Sequence, residues 1–357
     1  PGRGEGAGEA KEVEGLSQNK IVWRKFVRHR GAMFGMITLA LIAILSISSM
    51  GLGPIRGWWK WQDFNASHKI VNPAGAPTLV IPGINGDHFA WGDHPFGQDS
   101  IGADNFAQVM AGVKTSLFVM VIMGVVALVI GVAIGALAGY YRGWLDMALM
   151  RFTDLVITLP VIVIGAVLGR LVFTIPQKYF QDDTISQQIR AAMPILLALA
   201  LGMILWTGLA RLVRSEFLSL REREFVDSAR VAGASDFRII TKHILPNAIG
   251  VIIVNTTLLM SAAVVLETAL SYLGFGITRP NSSLGLLISA NQSAFQTRPW
   301  LFWWPGLFII LIALSANFIG DGLRDAFDPR TKRIPSEAAM RKAMAQLEAS
   351  PEKEGTK

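Results

Sequence analysis

Six apolar runs punctuate the chain, at about 31–52, 115–139, 152–173, 191–210, 247–273 and 300–320. Each is long enough to cross a bilayer, which takes about 20 predominantly apolar residues. The first, second, fourth and sixth hold no Asp, Glu, Lys or Arg. The third holds Asp154 and Arg170 near its ends, and the fifth holds Glu267 alone. One buried core helix of a soluble protein could explain a single such run, but not six. The pattern predicts an all-α membrane protein with six transmembrane helices.

Between the fourth and fifth runs the pattern changes to "EFVDSARVAGASDFRIITKHILP", residues 224–246. Residues 222–232 hold good helix formers without Gly or Pro, and Phe225, Ala229 and Ala232 recur at i, i+4, i+7. Val226 and Ser228 flank that face, and Arg223 is placed to pair with Asp227 along the helix. Gly233 stands where a left-handed helix stop is expected. Ser235 and Asp236 suit the start of a second helix, with Phe237, Ile240 and Ile244 as its apolar stripe and Pro246 as its end. The loop 214–246 is therefore expected to hold a helical hairpin with an apolar face that needs a partner, on its own bundle or on another protein.

Other elements are legible in the same way. Phe106, Val109, Met110 and Val113 in "NFAQVMAGVKTSL" predict a short amphipathic helix before the second span. Gly131, Gly135 and Gly139 share one face of that span, a surface for close helix approach. Pro160 and Pro194 are expected to kink or begin helices. Trp58, Trp59 and Trp61 read as an interfacial aromatic belt, within a long Gly- and Pro-rich loop at 53–114. Residues 174–190 read as a polar loop.

Composition sharpens this. Of 357 residues, 52% are hydrophobic and 17% charged, a balance outside the range of soluble domains. There is no cysteine, so neither disulfides nor thiolate metal sites arise. The net charge of +7 collects in alternate segments. These are the N-terminal flank (Arg24, Lys25, Arg28, Arg30), Arg142 and Arg151, the loop from Arg211 to Lys242, and the C-terminal flank (Arg324, Arg330, Lys332, Arg333). The positive-inside rule then puts both termini in the cytoplasm and accounts for the basic charge without nucleic acid. The first run is too long, and lacks the cleavage site, for a signal peptide. Residues 1–19 read as a disordered cytoplasmic tail, 20–333 as the membrane domain and 334–357 as a second cytoplasmic tail.

No phosphate-binding loop, H-E-x-x-H or G-x-S-x-G motif is present, so no catalytic site is expected. His88 and His94, beside Asp87 and Asp93, read as turn and cap residues rather than metal ligands. Glu267, an ionisable group inside a span, stands as either a path residue or a structural one near the water-exposed end of its helix. Asp154 reads as a salt bridge or cap near Arg151.

The spacing D-S-A-x-x-x-G-x9-H-x-L-P resembles the signature loop of binding-protein-dependent ABC importer permeases, usually E-A-A-x-x-x-G-x9-I-x-L-P. Asp227, Ser228, Ala229, Gly233, Leu245 and Pro246 hold its places, with Asp for Glu, Ser for Ala and His243 for Ile. "WRKFVRHRGAMFG", "HPFGQDSIGADNFAQVMAGVKTSL", "ETALSYLGFG" and "GDGLRDAFDPR" resemble further segments of the dipeptide/oligopeptide/nickel permease family, in its second or "C" type.

That resemblance implies a type I ABC importer (MetI-like) permease fold with a cytoplasmic coupling-helix hairpin, in a prokaryotic inner or plasma membrane. It implies a homologous second permease, two ATPase subunits or a fused ATPase, and an extracytoplasmic solute-binding protein that delivers a peptide. ATP and Mg would be bound by the partners, with no cofactor on this chain. Coupling would rest on Glu224, Phe225, Asp227, Ser228, Ala229, Gly233, Leu245 and Pro246. Asn255, Thr256, Ser261, Glu267 and Asn317 are the candidates for lining the translocation path. The alternatives are the same machinery carrying nickel chelates or oligosaccharides, and a self-contained secondary carrier.

Overall fold

The computed structural model describes residues 18–179 and 183–328. Residues 1–17 of the N-terminal tail and all of 334–357 lie outside it. The described chain is helical: α1 Gln18–Arg28, α2 Arg30–Met50, α3 Asn105–Tyr141, α4 Gly143–Thr158, α5 Val161–Tyr179, α6 Asp183–Arg221, α7 Glu224–Val231, α8 Asp236–Tyr272, α9 Leu284–Ala290 and α10 Trp300–Phe327. Extended pairing among the described residues is limited to isolated bridges.

Five helices, α2, α3, α6, α8 and α10, are long and apolar enough to span a membrane. The third apolar run is not one straight helix. It is divided between α4 and α5, which meet at 83° across Leu159 and Pro160. A residue before proline is driven out of the helical region, and Leu159 is extended at φ −79°, ψ 129°. Counted as one span, the bent pair makes the sixth. Pro194, by contrast, lies inside α6, which runs on through it. The polar loop expected at 174–190 is corrected as well, because α5 reaches Tyr179 and α6 starts at Asp183.

The glycine face of α3 meets α6, the most extensive helix pair in the molecule. A Cβ on Gly135 would stand 2.5 Å from the Ala210 carbonyl oxygen, and one on Gly139 would stand 2.8 Å from that of Arg214. Gly131 lies against Trp206 and Leu209. Between helices in lipid there is little hydrophobic force, so backbone proximity supplies the attraction. In the neighbouring layer, α10 packs against both α2 and α8. There Ser261 donates to the Ala313 carbonyl at 3.0 Å.

The first turns of α3 are not an amphipathic feeder helix. Every residue from Asn105 to Val113 is buried, because the 53–104 segment covers this end of the helix together with α2, α9 and α10. Asp104 ties that layer together. It caps α3 at the Ala107 N–H (2.9 Å) and accepts from Trp59 Nε1 (2.7 Å) and His94 Nδ1 (2.8 Å). Burial pushes its carboxyl above the usual carboxylate range, against the opposing pull of those three donors. Asp99 accepts from Gln108 at 3.1 Å, and Phe96 stacks on Trp304 of α10 with ring centres 3.8 Å apart.

Two expectations change here. Trp59 is 5% exposed and belongs to the core, so the tryptophan cluster is not a belt, although Trp58 is 56% exposed. His94, expected as a turn or cap residue, has a buried side chain that pairs with Asp104, whereas Asp93 bonds Lys60. The described residues hold no cluster of His, Asp and Glu suited to a metal ion.

The α3–α6 contact is testable. Gly135→Ala should cost about 1–3 kcal/mol through overpacking and lower the thermal midpoint in detergent. Gly208→Ala, whose Cβ would meet nothing within 4 Å, should leave that midpoint in place.

Candidate functional site

The hairpin begins where α6 ends. Arg223 turns extended (φ −89°, ψ 145°) and α7 starts at Glu224. Only eight residues long, α7 makes two turns and can present one i, i+3 pair inward. That pair is Val226 and Ala229, 0% and 9% exposed, packed with Tyr140, Val213, Phe217, Ile239 and Ile244. The face expected from Phe225, Ala229 and Ala232 is thus rotated: Phe225 is 38% exposed, and Ala232 falls beyond the last helical residue.

The helix stop is as its sequence implies. Gly233 has φ +79°, Gly233 N–H reaches the Arg230 carbonyl at 2.9 Å, and Ala234 N–H reaches that of Ala229 at 3.0 Å. This is a Schellman closure, open to glycine at little steric cost. Asp227 pairs with Arg230 at 3.2 Å, not with Arg223, because the extended Arg223 lies before the helix. Ser228 Oγ donates to the Glu224 carbonyl at 2.9 Å.

The second limb carries a π turn, Ile239–Ile244, inside the continuous helix α8. Its i→i+5 period puts Ile239 and Ile244 on one buried face, whereas Phe237 turns outward at 76% exposure. Pro246 therefore does not end this helix. It sits in the first turn of Leu245–Tyr272, after the π turn has reset the hydrogen-bond ladder, where a missing N–H costs little.

Polar contacts lock the hairpin to the helix ends. Tyr140 at the end of α3 donates to Asp236 Oδ1 at 2.6 Å. The Arg221 and Arg230 guanidinium groups stand 5.7 and 5.9 Å from the Tyr140 ring centre, and Arg221 also donates to the Tyr140 carbonyl. Arg214 grips Asp146 of α4 with two bonds, at 2.5 and 2.6 Å, and Arg211 meets Asp154 at 2.6 Å. Asp154 is thus a salt-bridge residue, with Arg211 a closer partner than Arg151 at 4.0 Å. The hairpin's outer side keeps Val231 and Phe237 exposed, Val231 by 91%, and Phe225, at 38%, flanks the packed face. Sequence periodicity missed Val231 and Tyr140. The first lies outside the helix's apolar stripe, and the second is distant in sequence from the hairpin it holds.

The five residues expected along a path separate. Glu267 is fully buried, accepting from Ser116 at 3.0 Å and Ser271 at 2.7 Å, so it joins α3 to α8 rather than facing water. Thr256 bonds the Ile252 carbonyl at 2.8 Å, and Ser261 bonds α10. Asn317 is exposed and Asn255 half-buried.

Residues 131–333 match the family described as binding-protein-dependent transport system inner membrane component, and 17–55 match the N-terminal transmembrane domain of oligopeptide transport permease C. The oligopeptide transport system permease protein of Mycobacterium bovis is 33% identical over 90% of this chain and 98% of its own length. The Haemophilus influenzae protein of that name is 33% identical over 91% and 92%, and that of Escherichia coli 33% over 91% and 95%. Among solved structures, the inward-facing MetNI methionine ABC transporter aligns at a TM-score of 0.46 and 20% identity, over 62% of this chain and 97% of that chain.

The two faces of α7 predict opposite outcomes. Val226→Lys should bury an unpaired charge and cost about 3 kcal/mol or more, whereas Val231→Lys should stay within about 0.5 kcal/mol. Thermal midpoints of the two purified variants check this.

Proposed function

The chain belongs to the binding-protein-dependent transport system inner membrane components, and on that premise we propose that it is the permease subunit of an ATP-driven peptide importer. The observation that carries the peptide reading is the match over nearly the whole chain to relatives named oligopeptide transport permeases. The chain is a transport subunit rather than an enzyme, and ATP with Mg belongs to its partner ATPases. A homologous permease supplies the other half of the path, and a solute-binding protein delivers peptide on the side away from the hairpin.

In this reading the hairpin is the coupling element. Phe225, Val231 and Phe237 present an apolar knob to a cleft of the ATPase, beside the Asp227–Arg230 pair. Val226 and Ala229 tie the opposite side of α7 to the bundle. A push on α7 therefore passes into α3 through Tyr140, into α6 through Val213 and Phe217, and into α8 through Asp236. Packed side chains are stiff, so the ends of these helices move with the hairpin. Glu224, Ser228, Gly233, Leu245 and Pro246 shape this element rather than forming its contact surface. Along the path, Asn255 and Asn317 are the polar candidates left to face the second permease, and both termini lie in the cytoplasm.

Val231→Lys with Phe237→Ser, in the assembled importer, should lower ATP-dependent peptide uptake by about tenfold or more, the scale of losing a buried anchor. Unchanged uptake and unchanged ATPase co-purification would overturn the coupling role. Peptide movement by this chain alone in ATP-free liposomes would overturn the importer reading in favour of a self-contained carrier.

A further inference from the structure

Helix α1 lies outside the bundle and is built unlike the spans. Its sequence QNKIVWRKFVR contains Lys20, Arg24, Lys25 and Arg28 and no acidic residue. At 100° per residue its positions fall into three sectors. Phe26 is buried against Met36, Leu323 and Ala326. Beside it, Trp23 and Val27 are apolar and exposed, by 60% and 40%. Next to those lie Lys20, Arg24 and Arg28, all exposed. Lys25 points elsewhere and donates to the Asp328 carbonyl at 3.1 Å.

The inward edge of this helix does not close completely on its neighbours. Val22, Trp23 and Phe26 form one wall of an apolar cleft of about 220 Å³. Ile253 of α8 with Leu323 and Phe327 of α10 form the other wall. Trp23 thus stands between an apolar slot and two cations, Lys20 three residues before it and Arg24 directly after it. The end of the molecule is fixed by contacts: Gly250 of α8 abuts Phe327, and α8 begins in the hairpin. The cleft therefore opens at the hairpin end, where the first span enters the membrane.

An amphipathic helix with Lys and Arg on its polar side and Trp beside them is suited to the headgroup boundary of a bilayer. A slot without polar lining excludes a peptide backbone, which would leave its N–H and C=O groups unpaired. Lys20 and Arg24 lie on the helical sector next to Trp23 rather than in the cleft lining, and two cations beside an apolar slot match an anion that carries a hydrocarbon chain. We propose that this cleft seats one anionic phospholipid of the adjoining leaflet, its phosphate held by Lys20 and Arg24 and one acyl chain lying between Trp23 and Ile253. Such a lipid bridges α1 to α8, the helix that carries the second limb of the hairpin. The inference rests on the membrane placement of the chain but not on the identity of its cargo.

The test uses the full chain with its partner subunits, purified from vesicles of equal phosphatidylglycerol and phosphatidylcholine. Native mass spectrometry then counts the lipid that survives delipidation. The wild type should retain one phosphatidylglycerol per chain in preference to phosphatidylcholine. Lys20→Gln with Arg24→Gln, both at the surface, should weaken retention by about fivefold for each charge removed. Ile253→Trp fills the slot and leaves the cations in place, and it should also lower retention. Equal retention of the two lipids by the wild type, or full retention in both variants, would overturn the proposal. Loss in the charge variant but not in Ile253→Trp would overturn the seated chain and leave surface attraction. Peptide uptake measured on the same preparations separates this from the transport reading: normal uptake without lipid preference removes the lipid site alone.

Discussion

The contact between α3 and α6 governs the arrangement of the molecule. In an apolar medium, helices gain little by hiding apolar surface from lipid, so what holds them is how closely their backbones approach. Three glycines at four-residue spacing give α3 a flat face, and α6 lies on it from Trp206 to Phe217. Because both helices run well beyond the expected spans, this one contact has consequences at both ends. At one end α3 starts from the Asp104 knot and carries the 53–104 layer. At the other, Tyr140 and Arg221 meet, and the hairpin is built on them.

The hairpin is two-sided, and its chemistry follows from that. Its inner side is a small apolar plug, Val226 and Ala229, set into the ends of three helices. Its outer side leaves large apolar groups in contact with solvent, a feature that marks an interaction surface when it lies on an ordered element. The inner packing supplies the stiffness, and in the proposed function the outer face supplies the contact. The Tyr140–Asp236 bond and the two arginines over the Tyr140 ring add directional ties that apolar packing lacks.

Polar groups inside the spans are mostly spent on the fold. Glu267 holds α3 and α8 together through two serine hydroxyls, and Ser261 and Thr256 satisfy backbone carbonyls. Inside lipid an unpaired polar group is costly, so such residues find partners within the chain first. Of the five path candidates Asn317 is exposed, whereas Asn255 is half-buried and donates to the Val251 carbonyl at 2.8 Å.

Much of this was legible in the chain itself. Run length announces the spans, because bilayer thickness sets a minimum number of apolar residues. The glycine spacing announces a packing face, and Gly233 announces the hairpin turn, because left-handed backbone geometry favours that residue. These are local constraints. What the chain could not specify locally were the partners: that the glycine face meets α6, that Trp59 and His94 converge on Asp104, that Glu267 is enclosed by Ser116 and Ser271, and that Val226 rather than Phe225 faces inward. The π turn before Pro246 belongs with these, since one extra residue in a turn rotates the side chains that follow by about 100° about the helix axis. Such choices depend on atoms distant in sequence competing for the same space, and only the assembled bundle resolves that competition.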